Sequence, residues 1–238
     1  MIKNLVELTK VRIGFLVLTT TIIGFYLGSQ GSFSSSLLMY TILGTLFSST
    51  GGSILNNVIE IDSDKNMERT KKRVLPTKKI SFKFALFLGL AFAITGLFIL
   101  YFKVNTLTAT LSFLTIALYL FVYTPLKRVS WINTSIGAIP GAIPPLGGWT
   151  AATNSLDLGG IALFLILFFW QHPHFYAIAF MYKDDYANAG LKMLPVVENG
   201  AKRTVIHIFL HALILIPIST LPFFFGDSGR VYFVGAYL

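Results

Sequence analysis

Residues 84–102 read FALFLGLAFAITGLFILYF, nineteen positions without a charge. About 20 apolar residues in a helix cross the hydrocarbon core of a bilayer, whereas a buried strand needs only roughly 4–8. The same purity returns in GFLVLTTTIIGFYLG (14–28) and IALFLILFFW (161–170). Such segments recur at intervals of roughly 25 residues, one span plus a short turn. With 54% hydrophobic residues in 238 and a mean hydropathy of +0.71, the chain is too apolar for an ordinary soluble domain. The pattern predicts an all-α, multi-pass transmembrane bundle forming a single domain over 1–238. Seven complete spans are expected, near 12–29, 37–58, 82–102, 105–124, 132–151, 159–180 and 204–225. An eighth apolar segment, VYFVGAYL (231–238), is too short to cross. It implies either a chain short at its C-terminal end or a segment lying on the membrane surface.

Cysteine is absent, which removes disulfides, thiolate metal sites and a cysteine nucleophile. The start, MIKNLVELTK, is neither a cleavable signal nor an Arg- and Ser-rich transit peptide.

A net charge of +9 would suit nucleic acid, but its distribution does not. With the N-terminus inside, 17 of the 19 basic residues fall in inner segments, and only Lys103 and Arg230 lie outside. Basic residues gather on the cytoplasmic side of membrane proteins, so most of this charge is topological and no nucleic-acid partner is expected. The acids need another explanation, because carboxylates contribute little to orientation. Glu60, Asp62, Asp64, Glu68, Asp184, Asp185 and Glu198 share the inner face, against Asp157 and Asp227 outside. One face rich in both signs suits a divalent cation held together with a polyanion.

The stretch LNNVIEIDSDKNMERTKKR (55–73) holds four of the chain's ten acids. Asn56, Glu60 and Asp64 are spaced i, i+4, i+8 and form a stripe on a helix. Asp62 lies about 200° round from Glu60 and joins the stripe only if the helix unwinds. A second cluster, YKDDYANAGLKMLPVV (182–197), puts Asp184 and Asp185 beside Lys183 on the same side. Oxygen-only donors favour a hard cation such as Mg²⁺, which typically bridges a few carboxylates to substrate phosphates. Asn56, Glu60, Asp62, Asp64, Asp184 and Asp185 are therefore the candidate metal ligands. Solvated loop charge is the alternative for either cluster alone. Arg69, Lys71, Lys72 and Arg73 follow the stripe, and Arg12, Lys127, Arg128 and Lys183 lie at the same depth. Such cations neutralise a diphosphate and stabilise it as a leaving group. A diphosphate site beside an apolar cavity fits a polyprenyl diphosphate.

These residues resemble a known family. The stretches 55–73, YTPLKRVSWINTSIGAIPGAIPPLGGW (123–149), FWQHPHFYAIA (169–179) and 182–197 are similar to four blocks of the heme O synthases. These protoheme IX farnesyltransferases belong to the intramembrane aromatic (UbiA-type) prenyltransferase superfamily. The superfamily's first motif, an Asn followed at fours by two Asp, maps to Asn56, Glu60 and Asp64. Glu60 departs from the usual Asp. The second motif maps to Asp184 and Asp185 with Lys183. The resemblance implies Mg²⁺-dependent transfer of farnesyl from farnesyl diphosphate to the vinyl group of heme B. It also implies a role in heme-copper oxidase assembly, with heme A synthase or oxidase assembly proteins as partners, in the cytoplasmic membrane with the active face inside. His174, in the QxPHF pattern, becomes the candidate heme contact, with His172 beside it and His207 and His211 as a second pair. On residue pattern alone, a lone His in an apolar helix is more often a hydrogen-bonded core residue.

GAIPGAIPPLGGW (137–149) carries two readings, close helix packing or a broken helix lining a cavity. A quinone-ring or chlorophyll-type acceptor would leave the diphosphate side unchanged. A transporter would place its acids near the midplane in repeated halves, and an inactive truncated remnant would keep every motif above.

Overall fold

The computed structural model describes residues 2–226 and 228–236, and all regular structure among them is helical. Asp227 and the last two residues of the 231–238 segment lie outside the described residues. In chain order the helices are α1 (Ile2–Leu8), α2 (Val11–Ser29), α3 (Ser35–Ile59), α4 (Ile61–Lys65), α5 (Phe82–Lys103) and α6 (Thr106–Ala117). A π-helical turn (Leu118–Tyr123) leads into α7 (Thr124–Leu126), followed by α8 (Asn133–Thr153) and α9 (Leu158–Met181). The chain continues through α10 (Lys183–Asn188), α11 (Leu194–Val197), α12 (Lys202–Ser219), α13 (Leu221–Phe224) and α14 (Arg230–Gly235).

Six helical runs are long and apolar enough to cross a membrane: α2, α3, α5, α9, Thr106–Leu126 and Lys202–Phe224. The expected count of seven is not reached because α8, in the place of the fifth span, is not among them. It is 21 residues long and uncharged, but Gly, Pro, Thr and Asn lower its hydropathy. Its packing explains why that is tolerated. It touches α2, α6 and α9, and most of one flank, including Ala138, Ala142, Leu146 and Trp149, is buried. Apolarity is demanded of surface that meets lipid, and α8 meets mainly protein.

Side chains close the helix ends as the residue types dictate. Ser34, Ser81, Asn105 and Asp157 each accept a backbone N–H from the first turn of the following helix. Close approach is set by glycine. A Cβ on Gly24 would lie 1.9 Å from the Pro145 carbonyl oxygen, and one on Gly148 would lie 1.9 Å from that of Thr21. Helices α2 and α8 therefore pack backbone to backbone. Despite Pro140, Pro144 and Pro145, α8 is one continuous helix. Of the two readings of 137–149, close packing is realised and the break is not, although the unbroken helix also lines a cavity.

Candidate functional site

The stripe forms as its spacing requires, across a helix break. Glu60 ends α3 and starts α4, yet its N–H donates to Asn56 O at 2.9 Å and Asp64 N–H to Glu60 O at 2.8 Å. Those i→i+4 bonds keep Asn56, Glu60 and Asp64 in line.

Each member of the stripe is held by a partner from elsewhere. Asn56 is fully buried, its Oδ1 accepting from Lys10 Nζ at 3.0 Å and its Nδ2 donating to Thr124 Oγ1 at 3.0 Å. Thr124 in turn donates to Tyr119 O at 2.7 Å. The π-helical turn thus leads straight into a hydroxyl that meets the stripe, and such turns are frequent at functional sites. Glu60 Oε1 lies 2.6 Å from Lys127 Nζ. Asp64 receives Arg73 Nη1 on both oxygens, at 3.1 and 2.9 Å.

Charge and burial compete here. Burial raises the Glu60 carboxyl, but Lys127, with Lys10 and Arg73 behind it, holds it below the usual carboxylate range. For Lys127 burial acts downward, and the Tyr123 and Glu60 oxygens outweigh it and hold the ammonium above its usual value. Lys10 shows the opposite balance. The residue is half-exposed, but its ammonium reaches inward to Asn56, and burial lowers it from 10.5 to about 8 against the pull of Glu60.

The second cluster meets the first through the backbone. Asp185 accepts N–H groups from Glu68 at 3.0 Å and Arg69 at 3.2 Å. This fixes the loop after α4, and the Arg69 guanidinium lies over the Tyr182 ring at 5.0 Å. Asp184 is exposed and Lys183 half-buried. Arg128 is exposed and donates to Ser63 Oγ at 2.9 Å. Asp62 faces outward, its side chain 82% exposed and paired with Lys65. Lys71 pairs with Glu68 at the surface, and Arg12 is exposed at the start of α2. The structure thus gives Asn56, Glu60 and Asp64 inward partners in Lys10, Thr124, Lys127 and Arg73, docks Asp185 on the backbone that follows the stripe, and leaves Asp62, Lys71 and Arg12 at the surface.

Among the described residues no three acid or histidine side chains converge on one point. Each inward acid of the stripe is neutralised by a base instead. The donors nevertheless fit a hard cation, since Asn56, Glu60 and Asp64 can each offer side-chain oxygen. Asn57 Oδ1 is buried without a partner and borders a cavity of about 20 Å³ beside Lys10, Asp64 and Arg73. That space suits one water or a small ion.

Beyond the charged rim lies a cavity of about 470 Å³ between α2, α8 and α9. Arg69, Tyr123 and Tyr186 stand at its polar end, while Gly137, Gly141 and Pro144 of α8 form one wall. His174 lines it too, stacked on Trp170 at 5.1 Å. His172 does not line it. It is 1% exposed, with Nδ1 donating to Phe168 O at 2.7 Å and Nε2 3.1 Å from Ser135 Oγ. Its ring stacks on His211 at 4.0 Å, with His207 next to that. The two histidines two positions apart therefore serve different sides of α9. Motif spacing does not single out Lys10, Thr124 or Tyr186. Lys10 reads as one more inside-positive charge, and nothing local marks its inward turn at φ 50°.

Residues 17–238 match the UbiA prenyltransferase family. A protein named protoheme IX farnesyltransferase from Solibacter usitatus is 44% identical, covering 99% of this chain and 84% of that protein. One of the same name from Koribacter versatilis is 43% identical, covering 99% and 77%. The solved structure of a UbiA homolog from Archaeoglobus fulgidus bound to DMAPP and Mg²⁺ superimposes with a TM-score of 0.78 at 16% identity, covering 98% of this chain and 84% of that one.

Proposed function

The chain belongs to the UbiA prenyltransferase family, and on that premise we propose that it transfers farnesyl from farnesyl diphosphate to the vinyl group of heme B, giving heme O. Relatives named for that reaction over almost the whole chain support the choice of acceptor. The observation that carries it is the cavity itself. Arg69 stands at one end and His174 on the wall of the same apolar space, as a diphosphate and a porphyrin side by side require.

Arg69, Lys127, Arg128 and Lys183 bind the diphosphate, and Arg12 and Lys71 add long-range attraction from the surface. Glu60, Asp64 and Asn56, with Asp185 and Asp184 opposite, would hold Mg²⁺, an ion that a fold relative binds together with a prenyl diphosphate. When bound, the ion supplies positive charge that draws diphosphate off the allylic carbon. Lys127 and Arg73 neutralise Glu60 and Asp64 beforehand and are free to turn to the phosphates once those acids are engaged. The C1–O bond of the prenyl group breaks, and the rings of Tyr123, Trp170 and Phe175 in the wall stabilise the allylic cation. The vinyl carbon attacks C1, water adds to the resulting cation, and a proton departs, leaving hydroxyethylfarnesyl. No side-chain nucleophile is needed. His174 contacts the heme. The inner, basic face is cytoplasmic by the charge rule, and the product passes to oxidase assembly.

The test is an assay on membranes holding this chain, heme B, farnesyl diphosphate and Mg²⁺, read by mass spectrometry. A heme-plus-hydroxyethylfarnesyl mass that disappears in Asp64→Asn supports the reading. Folded wild-type protein that modifies a quinone precursor but not heme would move the assignment to that acceptor.

A further inference from the structure

A second cavity adjoins the first. It has a volume of about 50 Å³ and shares Val17 and Pro144 with the 470 Å³ cavity as a common wall. It lies between α2, α3, α6 and α8, with Ile116, Ile143 and Gly147 on its sides. We propose that this chamber receives the distal end of the prenyl chain and that Gly147 sets the longest chain accepted. The inference rests on the prenyl-transfer reading and refines it.

The chamber looks polar by residue type, since Thr21, Ser48, Thr108, Ser112 and Thr115 line it. Their hydroxyls are already engaged. Thr21 donates to Val17 O at 2.9 Å, Thr115 to Leu111 O at 2.8 Å and Ser48 to Thr45 O at 3.2 Å. Ser112 donates to Ser48 Oγ at 3.0 Å, and Thr108 pairs with Thr150 at 2.9 Å. Such bonding satisfies the donors within the bundle and leaves methyl and methylene groups as much of the lining. Ser49, also in the lining, donates to Leu46 O at 3.3 Å, and among the described residues Thr45 is the one lining hydroxyl without such a bond. A space whose donors are nearly all partnered holds hydrocarbon better than water.

Position and size fit the end of a chain. From Thr134, which lines the outer cavity, to Gly147 the rise along α8 is about 20 Å. A tail anchored at the charged rim and running along Gly137, Gly141 and Pro144 ends at the chamber. By the measure in which one water takes about 10–15 Å³, 50 Å³ admits about three to five heavy atoms, the end of one five-carbon unit. A Cβ on Gly147 would meet nothing within 4 Å. Side chains placed there fill the chamber without displacing backbone, unlike at neighbouring Gly148.

The experiment uses the full chain in nanodiscs with geranyl, farnesyl and geranylgeranyl thiolodiphosphates, which bind without reacting. Binding is followed by tryptophan quenching, and transfer of the parent diphosphates to heme is measured in parallel. In Gly147→Phe, farnesyl affinity falls about tenfold or more while geranyl stays within about twofold, the scale expected for a few buried carbons. In Ile116→Ala, geranylgeranyl affinity rises about tenfold relative to farnesyl. Melting curves establish that each variant is folded, and the enlarging variant carries the test if Gly147→Phe does not fold. An unchanged ranking of chain lengths in a folded variant overturns the proposal. Length selection that persists without any transfer to heme would sink the acceptor assignment and leave the chamber standing.

Discussion

Glu60 and Lys127 are 67 residues apart in the chain and meet at 2.6 Å, each side chain 15% exposed. The contact ties the end of α3 to the end of α7 and puts opposite charges where a diphosphate and its counter-ion are expected to sit. Removing only one partner leaves the other charge uncompensated in a poorly solvated place. Lys127→Met is expected to lower stability by about 3 kcal/mol, whereas the double variant Glu60→Gln/Lys127→Met recovers much of that loss. A double-mutant cycle of detergent-unfolding free energies measures the coupling. A coupling near zero would mean that the pair is merely adjacent.

Lys10 makes stability depend on alkaline pH. Its usual value of 10.5 falls to about 8 in the fold, so between these values the unfolded chain binds more protons than the native one. Stability therefore rises with pH across that window and is lost again as pH falls through 8. Unfolding measured from about pH 7 to 10.5 is expected to show the rise in wild type and not in Lys10→Met.

Besides its proposed place among the Mg²⁺ ligands, Asp185 braces backbone. Its carboxylate holds the N–H groups of Glu68 and Arg69. Asp185→Ala should loosen that loop, raise KM for the prenyl diphosphate about tenfold and cost only about 1 kcal/mol of stability. Exposed Asp184 is not part of that clamp, so Asp184→Ala should leave loop protection in hydrogen exchange unchanged.

The histidines divide by side. His174→Ala should weaken heme binding in a Soret titration with little change in melting. His172→Ala should leave heme affinity within about twofold and lower stability by about 1–3 kcal/mol, because two hydrogen bonds and a ring stack are lost. If both variants lose heme equally, the cavity wall is not what contacts the porphyrin.

The α2–α8 contact leaves no room for a methyl group. Gly148→Ala forces a Cβ against Thr21 O and should cost about 1–3 kcal/mol or more. Gly14→Ala, where a Cβ meets nothing within 4 Å, is expected to be neutral. Melting temperatures of the two variants in the same detergent compare them directly.

Much of this protein is legible in local chemistry alone. Transfer of an apolar run into lipid is a property of the run itself, so α2, α3, α5 and α9 stand close to where hydropathy places them. A spacing of four on a helix is likewise local, and Asn56, Glu60 and Asp64 line up accordingly. Hydropathy reports exposure to lipid, however, and α8 fails that measure because protein surrounds it. Which base neutralises which acid depends on helices that meet only after packing. Only the tertiary structure paired Glu60 with Lys127, turned Lys10 inward and sent His172 and His174 to different sides of one helix. It also enclosed the chamber at Gly147, because the shape of a cavity depends on all its walls at once.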